Sequence, residues 1–271
     1  MRVGRILIYL FLIFFIFIWI MPLVSLVLTS LKSEQQILYL PFWSLPSKVY
    51  FVENVLLAME TGNLGRAFIN TIFYSLSSAC AGVFLASMIA FPIAKMNFKG
   101  KNLIFYLALI GTFLPFQMYL LPHVHILRIF KLYDTWIGLW LVYTAIVIPF
   151  AILVIRNYML TIPDSIIDAA KLDGCSYIGI YGRIMLPLTV PALTVAFLFQ
   201  FIWVWNDMIF GLVLTANSST RPLMTQLAML KGGYITSFGA MAAGSIISIF
   251  IPIVVILVFQ EKFIQGFRAP M

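Results

Sequence analysis

Five consecutive residues combine aromatic, amide and carboxylate side chains within an apolar run: Trp203, Val204, Trp205, Asn206 and Asp207. Aromatic faces stack on neutral sugars, and an amide hydrogen-bonds to sugar hydroxyl groups. Trp203, Trp205, Asn206 and Asp207 are therefore candidate contacts for such a solute. The alternative is structural, with Asn206 and Asp207 in a hydrogen-bond network between helices. For Asp207 we favour the structural role, because one carboxylate is a poor general contact for a sugar.

Asp207 is also the only carboxylate that we place inside a predicted membrane span. A charged side chain at the middle of a bilayer costs roughly 3 kcal/mol, so it should face protein or water. An isolated carboxylate there is typical of a proton or sodium site, which gives a second hypothesis, an ion-coupled secondary carrier. No inverted repeat and no pair of broken helices is recognisable in the sequence, which argues against that hypothesis.

The sequence contains no recognisable pattern for enzymatic chemistry. It lacks a glycine-rich phosphate loop ending in Gly-Lys-Ser/Thr, and it lacks His-Glu-x-x-His, Gly-x-Ser-x-Gly and Cys-x-x-Cys. We interpret His123-x-His125 as an interfacial loop feature and not as a metal site. We therefore predict no catalytic residue, no metal and no cofactor in this chain, and ATP would have to be bound by another subunit.

Composition predicts a membrane protein. The 271 residues are 63% hydrophobic and 10% charged, whereas soluble domains carry roughly 25% charged residues. The formal net charge is +8, but the basic residues are scattered between apolar runs, which argues against nucleic-acid binding and favours contact with the lipid bilayer. We expect an all-α integral membrane protein that forms a single polytopic domain over residues 1–271.

Apolar runs long enough to cross a bilayer predict six transmembrane helices. The first follows Arg2 and Arg5, is too long for a signal-peptide core and lacks a cleavage pattern, so we expect it to be retained. The spans are expected at about residues 6–31, 67–94, 103–121, 136–155, 188–215 and 240–259.

Prolines and small residues add detail to these spans. Pro115 is expected to kink the third span, and residues 123–134 are expected to form a loop. Gln117, beside the kink, is expected to make a helix–helix hydrogen bond or, as a less favoured alternative, to contact the solute. Small residues four apart predict close helix packing in two spans. They are Ser78, Gly82, Ala86, Ala90 and Ala94 in the second span, and Ala240, Gly244 and Ser248 in the sixth.

Six spans place both termini on one side of the membrane. If that side is cytoplasmic, it holds more of the 17 lysines and arginines than the other side, in weak agreement with the positive-inside rule. We therefore expect both termini, and the segment between spans four and five, to be cytoplasmic.

That segment, at about residues 162–187, is expected to form a helix, a sharp turn and a second helix. Asp164 or Ser165 is expected to cap the first helix, and Gly174 to end it in the left-handed conformation. Ser176 is expected to cap the second helix, which should end before Pro187 because the residue that precedes a proline disfavours helix.

The segment resembles the cytoplasmic loop of permease subunits in binding-protein-dependent ABC importers. That loop reads Glu-Ala-Ala, three residues, Gly, nine residues, Ile-x-Leu-Pro. The matching residues here are Asp168, Ala169, Ala170, Gly174, Ile184, Leu186 and Pro187. Asp168 in place of Glu keeps the charge and shortens the reach. The resemblance implies that these residues form the coupling element that sits in a cleft of the ATPase subunit.

The resemblance extends to the carbohydrate branch of the family, typified by maltose and glycerol-3-phosphate importers. Trp205-Asn206-Asp207 and the Phe263–Gly266 region match that branch, although the chain reaches Met271 without the longer tail of some members. The resemblance implies a sugar importer of the cell membrane with two ATPase subunits that bind Mg-ATP, an extracytoplasmic sugar-binding protein and a second permease. We expect the second permease to be a different chain, with this chain as the smaller partner.

Overall fold

The structure is a computed structural model that describes residues 2–60, 62–230 and 237–267, with side chains described from Ile6 to Glu261 within those ranges. Met271 lies outside the described residues, and of Phe263–Gly266 only the backbone is described. Every regular element in the described ranges is helical.

The helices are, in chain order, α1 (Arg2–Ser30), α2 (Glu34–Tyr39), α3 (Phe51–Glu60), α4 (Leu64–Lys95), α5 (Lys101–Phe113), α6 (Leu120–Ile129), α7 (Trp136–Thr161), α8 (Asp164–Leu172), α9 (Tyr177–Ile180), α10 (Leu186–Leu188), α11 (Val190–Trp205), α12 (Ile209–Leu214), α13 (Leu223–Met229) and α14 (Phe238–Phe267). A 3₁₀ turn, Phe116–Tyr119, precedes α6, and a π turn, Tyr181–Met185, joins α9 to α10.

Among the described residues, four helices are long and apolar enough to cross a membrane on their own. They are Ile6–Ser30, Leu64–Lys95, Trp136–Thr161 and Phe238–Glu261. Two bent pairs bring the number to six if each pair is counted as one span. These pairs are Lys101–Phe113 with Phe116–Ile129, bent by 96°, and Tyr177–Leu188 with Val190–Trp205, bent by 72°.

The third span is broken, and the prediction of one kinked helix over residues 103–121 is wrong. Helix α5 ends at Phe113, and Leu114 is extended with ψ 125° because the ring of Pro115 disfavours helix in the preceding residue. The loop predicted from residue 123 is also wrong, since α6 continues to Ile129. Pro122 lies in the first turn of α6, where a missing N–H costs no helical hydrogen bond.

The fifth span is broken as well, in place of the continuous helix predicted over residues 188–215, so the absence of broken helices inferred from the sequence is also wrong. Helix α11 ends at Trp205, and α12 begins only at Ile209. The sixth span, in contrast, continues through Pro252 without a break.

Two compact units are distinguished along the chain, one of Met1–Arg66 with Gln226–Ile251 and one of Ala67–Thr225 with Pro252–Met271. In the first unit, the Asn54 amide donates to the carbonyl oxygens of Ser30 and Lys32, both at 2.9 Å, which fixes the segment between α1 and α3. A Cβ added at Gly244 would lie 2.6 Å from Leu64 Cδ1. The close packing predicted for this glycine is therefore confirmed.

In the second unit, α4 packs closely on α7 through the predicted row of small residues. Ser78, Ala86 and Ala90 are fully buried. A Cβ added at Gly82 would lie 2.2 Å from Val147 Cγ1 and 2.8 Å from the carbonyl oxygen of Thr144. The backbones of the two helices therefore approach at Gly82 as closely as a missing side chain permits.

We predict that Gly82→Ala destabilises the protein by about 1 to 3 kcal/mol, because the added methyl group overpacks the contact between α4 and α7. The thermal unfolding midpoint of the purified protein in detergent measures the effect. Gly65→Ala is the matched control, since Gly65 lies exposed on the same helix and its nearest neighbour would be Met59 Sδ at 3.9 Å. Equal midpoints for the two variants would contradict the prediction.

Candidate functional site

The first candidate region is the pair of short helices between α7 and α11. Helix α8 begins at Asp164, with Pro163 at the N-cap position and no side-chain cap. The prediction that Asp164 or Ser165 caps this helix is therefore wrong. The Asp164 carboxylate instead pairs with Lys95 Nζ at 2.5 Å. The hydrogen bond from Lys95, and then its charge, lower the pKa of the Asp164 carboxyl below its ordinary value.

The turn after α8 is the left-handed glycine turn predicted from the sequence. Gly174 has φ +78°, the Cys175 N–H donates to the carbonyl oxygen of Ala170 at 2.9 Å, and the Gly174 N–H donates to that of Lys171 at 3.0 Å. These two bonds form a Schellman motif. A Cβ at Gly174 would meet nothing within 4 Å, so the positive φ alone favours glycine here.

The second short helix begins as predicted, since Ser176 Oγ accepts the Gly179 N–H at 3.2 Å. It does not end before Pro187, which corrects the prediction: the helical path continues through the π turn Tyr181–Met185 into α10. The Leu186 N–H bonds to the carbonyl oxygen of Tyr181, five residues earlier. This wider turn accommodates the proline that follows, which has no N–H of its own.

One side of these helices is buried, and the exposed side carries apolar residues together with the charged Asp168 and Lys171. Ile167, Ala170, Ile180 and Met185 belong to a core that also contains buried residues of α4 and α7. Of the candidate coupling residues, Ala170 is buried, Ile184 and Leu186 are half-buried, and Asp168, Ala169, Gly174 and Pro187 are exposed. Leu172 and Ile178, on either side of the turn, are 90% and 84% exposed.

The second candidate region lies at the break in the fifth span. Trp205 is 1% exposed and packs edge-on against Phe68 and stacked with Phe201, with ring centroids 5.7 Å apart in each case. Trp203, two residues earlier, borders a groove of about 620 Å³ together with Phe116, Phe199, Asn206 and Asp207. The structure therefore separates the two predicted tryptophans, with Trp203 on the groove and Trp205 in the core.

Asp207 lies in a hydrogen-bond network that closes the break. Its carboxylate accepts the Tyr143 hydroxyl at 2.7 Å, the Phe210 N–H at 3.2 Å and the Gly211 N–H at 3.1 Å. The two amides belong to the first turn of α12 and have no partner within that helix. Gln200 adds a fourth bond, from its amide to the carbonyl oxygen of Tyr143 at 2.8 Å.

Asn206 and Gln117 have different surroundings. Asn206 is exposed at the groove. Its Nδ2 donates to the carbonyl oxygen of Ile202 at 2.8 Å, so the oxygen of the same amide group points away from Ile202. The Gln117 side chain is exposed, which is at odds with the expected buried hydrogen bond, and it is not among the residues that border the groove.

Sequence reasoning did not identify Phe116, Tyr143 and Phe199 as part of this region. Phe116 packs edge-on against Trp203 at 6.0 Å, and Tyr143 does the same at 6.2 Å. These are single aromatic residues in apolar runs, and the sequence gives no signal that distinguishes them from the other phenylalanines and tyrosines.

We predict that Tyr143→Phe and Asp207→Asn each lower stability by about 1 to 3 kcal/mol, because each removes a hydrogen bond of the buried network around the Asp207 carboxylate. Thermal unfolding of the purified protein is the measurement. Tyr106→Phe removes a hydroxyl from a tyrosine that is 56% exposed, so it should change little. If Tyr143→Phe were as stable as Tyr106→Phe, the network would not hold the break closed.

Comparisons with known proteins show the family to which the chain belongs. Residues 79–268 match the family model described as "Binding-protein-dependent transport system inner membrane component". The osmoprotective compounds uptake permease of Synechocystis is 30% identical and covers 93% of this chain and 87% of its own length. The arabinooligosaccharides transport system permease of Halalkalibacterium halodurans is 31% identical, with coverage of 93% and 91%.

The fold is also known from a solved structure. A chain of a bacterial ABC transporter involved in the import of the acidic polysaccharide alginate superposes with a TM-score of 0.82 at 21% identity, over 97% of both chains. The ion-coupled carrier hypothesis finds no support in these comparisons. The chain belongs to the inner membrane components of binding-protein-dependent transport systems, as a multi-pass permease whose ATP is hydrolysed by a partner subunit.

Proposed function

We propose that this chain forms part of the solute path of an ATP-driven sugar importer, with Trp203 and Asn206 as contacts for the sugar. The observation that carries this proposal is the groove at the break in α11, where an aromatic face and an amide lie side by side. Neutral sugars offer apolar ring faces for stacking and hydroxyl groups for hydrogen bonding, so these two side chains suit them. Relatives named for arabinooligosaccharide and alpha-glucoside transport support the same substrate class.

Asp207 serves the path indirectly in this proposal. Its carboxylate is occupied by Tyr143 and by two amides of α12, so it fixes the position of Asn206 at the break. Trp205 anchors the end of α11 in the core, and Gln117 is left without an assigned role.

The segment from α8 to α10 is the proposed coupling element. Its candidate residues lie on α8, in the turn that follows it, in the π turn and on α10, and this segment shares the core of α4 and α7. They are Asp168, Ala169, Ala170, Gly174, Ile184, Leu186 and Pro187. Leu172 and Ile178 are exposed apolar side chains on either side of the turn, and in this proposal they form an apolar surface for a protein contact. A partner ATPase that binds Mg-ATP would cover this surface, and its motion would reach α4 and α7 through the buried side.

Topology and partners follow from that role. The coupling element must face the cytosol to meet an ATPase, which places both termini of a six-span chain in the cytosol. The assembly would contain a second permease, as a different chain, two copies of the ATPase and an extracytoplasmic sugar-binding protein. A related structure, of an alginate transporter in complex with a pentasaccharide-bound periplasmic protein, supports such a partner.

The test of this function is reconstitution of the whole complex. The chain is purified with the subunits that accompany it and placed in proteoliposomes with ATP inside and binding protein outside. We expect the proteoliposomes to take up a labelled oligosaccharide, and we expect this uptake to stop when ATP is omitted. Uptake by the chain alone, driven by a proton or sodium gradient, would refute the proposal.

We predict that Leu172→Glu weakens association with the ATPase roughly tenfold or more, because burying a leucine contributes about 1.5 to 3 kcal/mol and a buried carboxylate opposes it. Copurification and titration of the ATPase onto the permease in detergent measure the loss. Ser165→Glu is the matched control, since it adds the same charge to an exposed position of α8 outside the apolar surface. Equal ATPase binding by the two variants would contradict the assignment of the surface.

We predict that Trp203→Ala lowers sugar uptake about twofold to tenfold while ATPase binding is unchanged, because one aromatic contact contributes about 0.5 to 1.5 kcal/mol. Trp203→Phe retains an aromatic face and should restore most of the uptake. Initial rates in proteoliposomes provide the comparison. If the alanine and phenylalanine variants lose uptake equally, the ring of Trp203 does not stack on the sugar.

A further inference from the structure

Lys95 is a nearly buried lysine at the cytoplasmic end proposed for α4. Its side chain is 3% exposed, whereas Lys99, four residues later, is exposed. A buried ammonium group needs a counter-charge and hydrogen-bond acceptors to remain charged. Lys95 has both, because its Nζ lies 2.5 Å from the Asp164 carboxylate and donates to the carbonyl oxygen of Ile162 at 2.6 Å.

These contacts join three helices at one atom. Lys95 is the last residue of α4, Ile162 is the C-cap of α7, and Asp164 is the first residue of α8. The Ile162 carbonyl lies at the C-terminus of α7, where the last carbonyl groups have no hydrogen-bond partner within the helix. The helix dipole also favours a positive charge at this end. The ammonium group therefore completes the end of α7 and the beginning of α8 together.

The contacts of α8 with the core that contains α4 and α7 are otherwise apolar. Ile167 and Ala170 pack into the core, and such contacts are non-directional and tolerate sliding. The contact at Lys95 is directional, because it requires Nζ to stay within hydrogen-bond distance of both oxygens. A displacement of the first turn of α8 must therefore move α4, or break the ion pair.

We propose that Lys95 is a positioning residue that transmits the displacement of α8 to α4 through Asp164, and so couples ATP hydrolysis to the motion of the spans. This inference rests on the proposed coupling role of α8. It adds a residue of α4 that lies far from the coupling motif in sequence and is not part of it. Because α4 packs backbone to backbone on α7 at Gly82, the two long spans would move together.

The experiment compares Asp164→Asn, Lys95→Met and Lys95→Arg with Lys99→Met in the full reconstituted complex. Asp164→Asn removes the counter-charge of Lys95 at an exposed position, so it leaves the apolar packing of the core unchanged. Lys99→Met removes a lysine of the same segment from an exposed position and is the matched control. The readouts are the amount of copurified ATPase, the ratio of binding-protein-stimulated to basal ATP hydrolysis, and the sugar taken up per ATP hydrolysed.

We expect Asp164→Asn and Lys95→Met to bind the ATPase normally but to transport less sugar per ATP, by roughly twofold to thirtyfold. Lys95→Arg, which keeps a cation with several donors, should retain most of the coupling, and Lys99→Met should match the wild type. Unchanged sugar per ATP in Asp164→Asn would overturn the proposal. If Lys95→Met failed to assemble, Asp164→Asn and Lys95→Arg would still decide.

A second measurement separates this inference from the proposed function. Amide hydrogen exchange of residues 164–172 requires no sugar and no transport. Faster exchange in Asp164→Asn than in Lys99→Met is expected, and equal exchange would overturn the role of Lys95 even in a fully active importer. A wild-type complex without sugar-stimulated ATP hydrolysis would instead refute the proposed function.

Discussion

The structure depends on the burial of one side of the short segment between α7 and α11 against the ends of two long spans. Isolated helices as short as α8, with nine residues, and α9, with four, are not stable in water. They persist here because Ile167, Ala170, Ile180 and Met185 are buried in the core that contains α4 and α7. The same burial therefore orders the exposed side of the segment and places its other side in direct contact with the spans.

The breaks in the apolar spans follow from a second constraint, the need to satisfy every backbone group away from water. Within lipid, an unpaired N–H or C=O costs several kcal/mol, so a helix can stop only where other groups replace its hydrogen bonds. Asp207 does this at the end of the fifth span by accepting the first amides of α12, and Tyr143 completes the carboxylate's partners. These bonds thereby close the break beside the groove, and they also occupy the carboxylate that an ion carrier would need to be free.

The sequence predicted the elements that depend on local chemistry. The glycine turn at Gly174, the serine cap at Ser176 and the small residues facing a neighbouring helix were all predicted, because each depends on residue type at a fixed spacing. Prediction from the sequence failed where contacts with residues distant in the chain determine the local structure. Asp164 was expected to cap its own helix, but Lys95, 69 residues away, provides a stronger partner for its carboxylate. Pro187 was expected to end a helix, but a π turn that no local pattern signals accommodates it.

The two tryptophans show most clearly why the candidate site was only partly predictable. Trp203 and Trp205 are two residues apart in a helix, so they point in directions roughly 200° apart, and only one of them can face a given groove. The sequence predicts that the two side chains point apart, but it does not predict which of them faces the groove. That depends on Phe116 and Tyr143, which come from other parts of the chain and pack against Trp203. Because Trp205 is enclosed by Phe68 and Phe201, the end of α11 is fixed in rotation, and Trp203 is thereby directed to the opposite side. The position of Trp203 on the groove thus depends on Trp205, which is buried in the core.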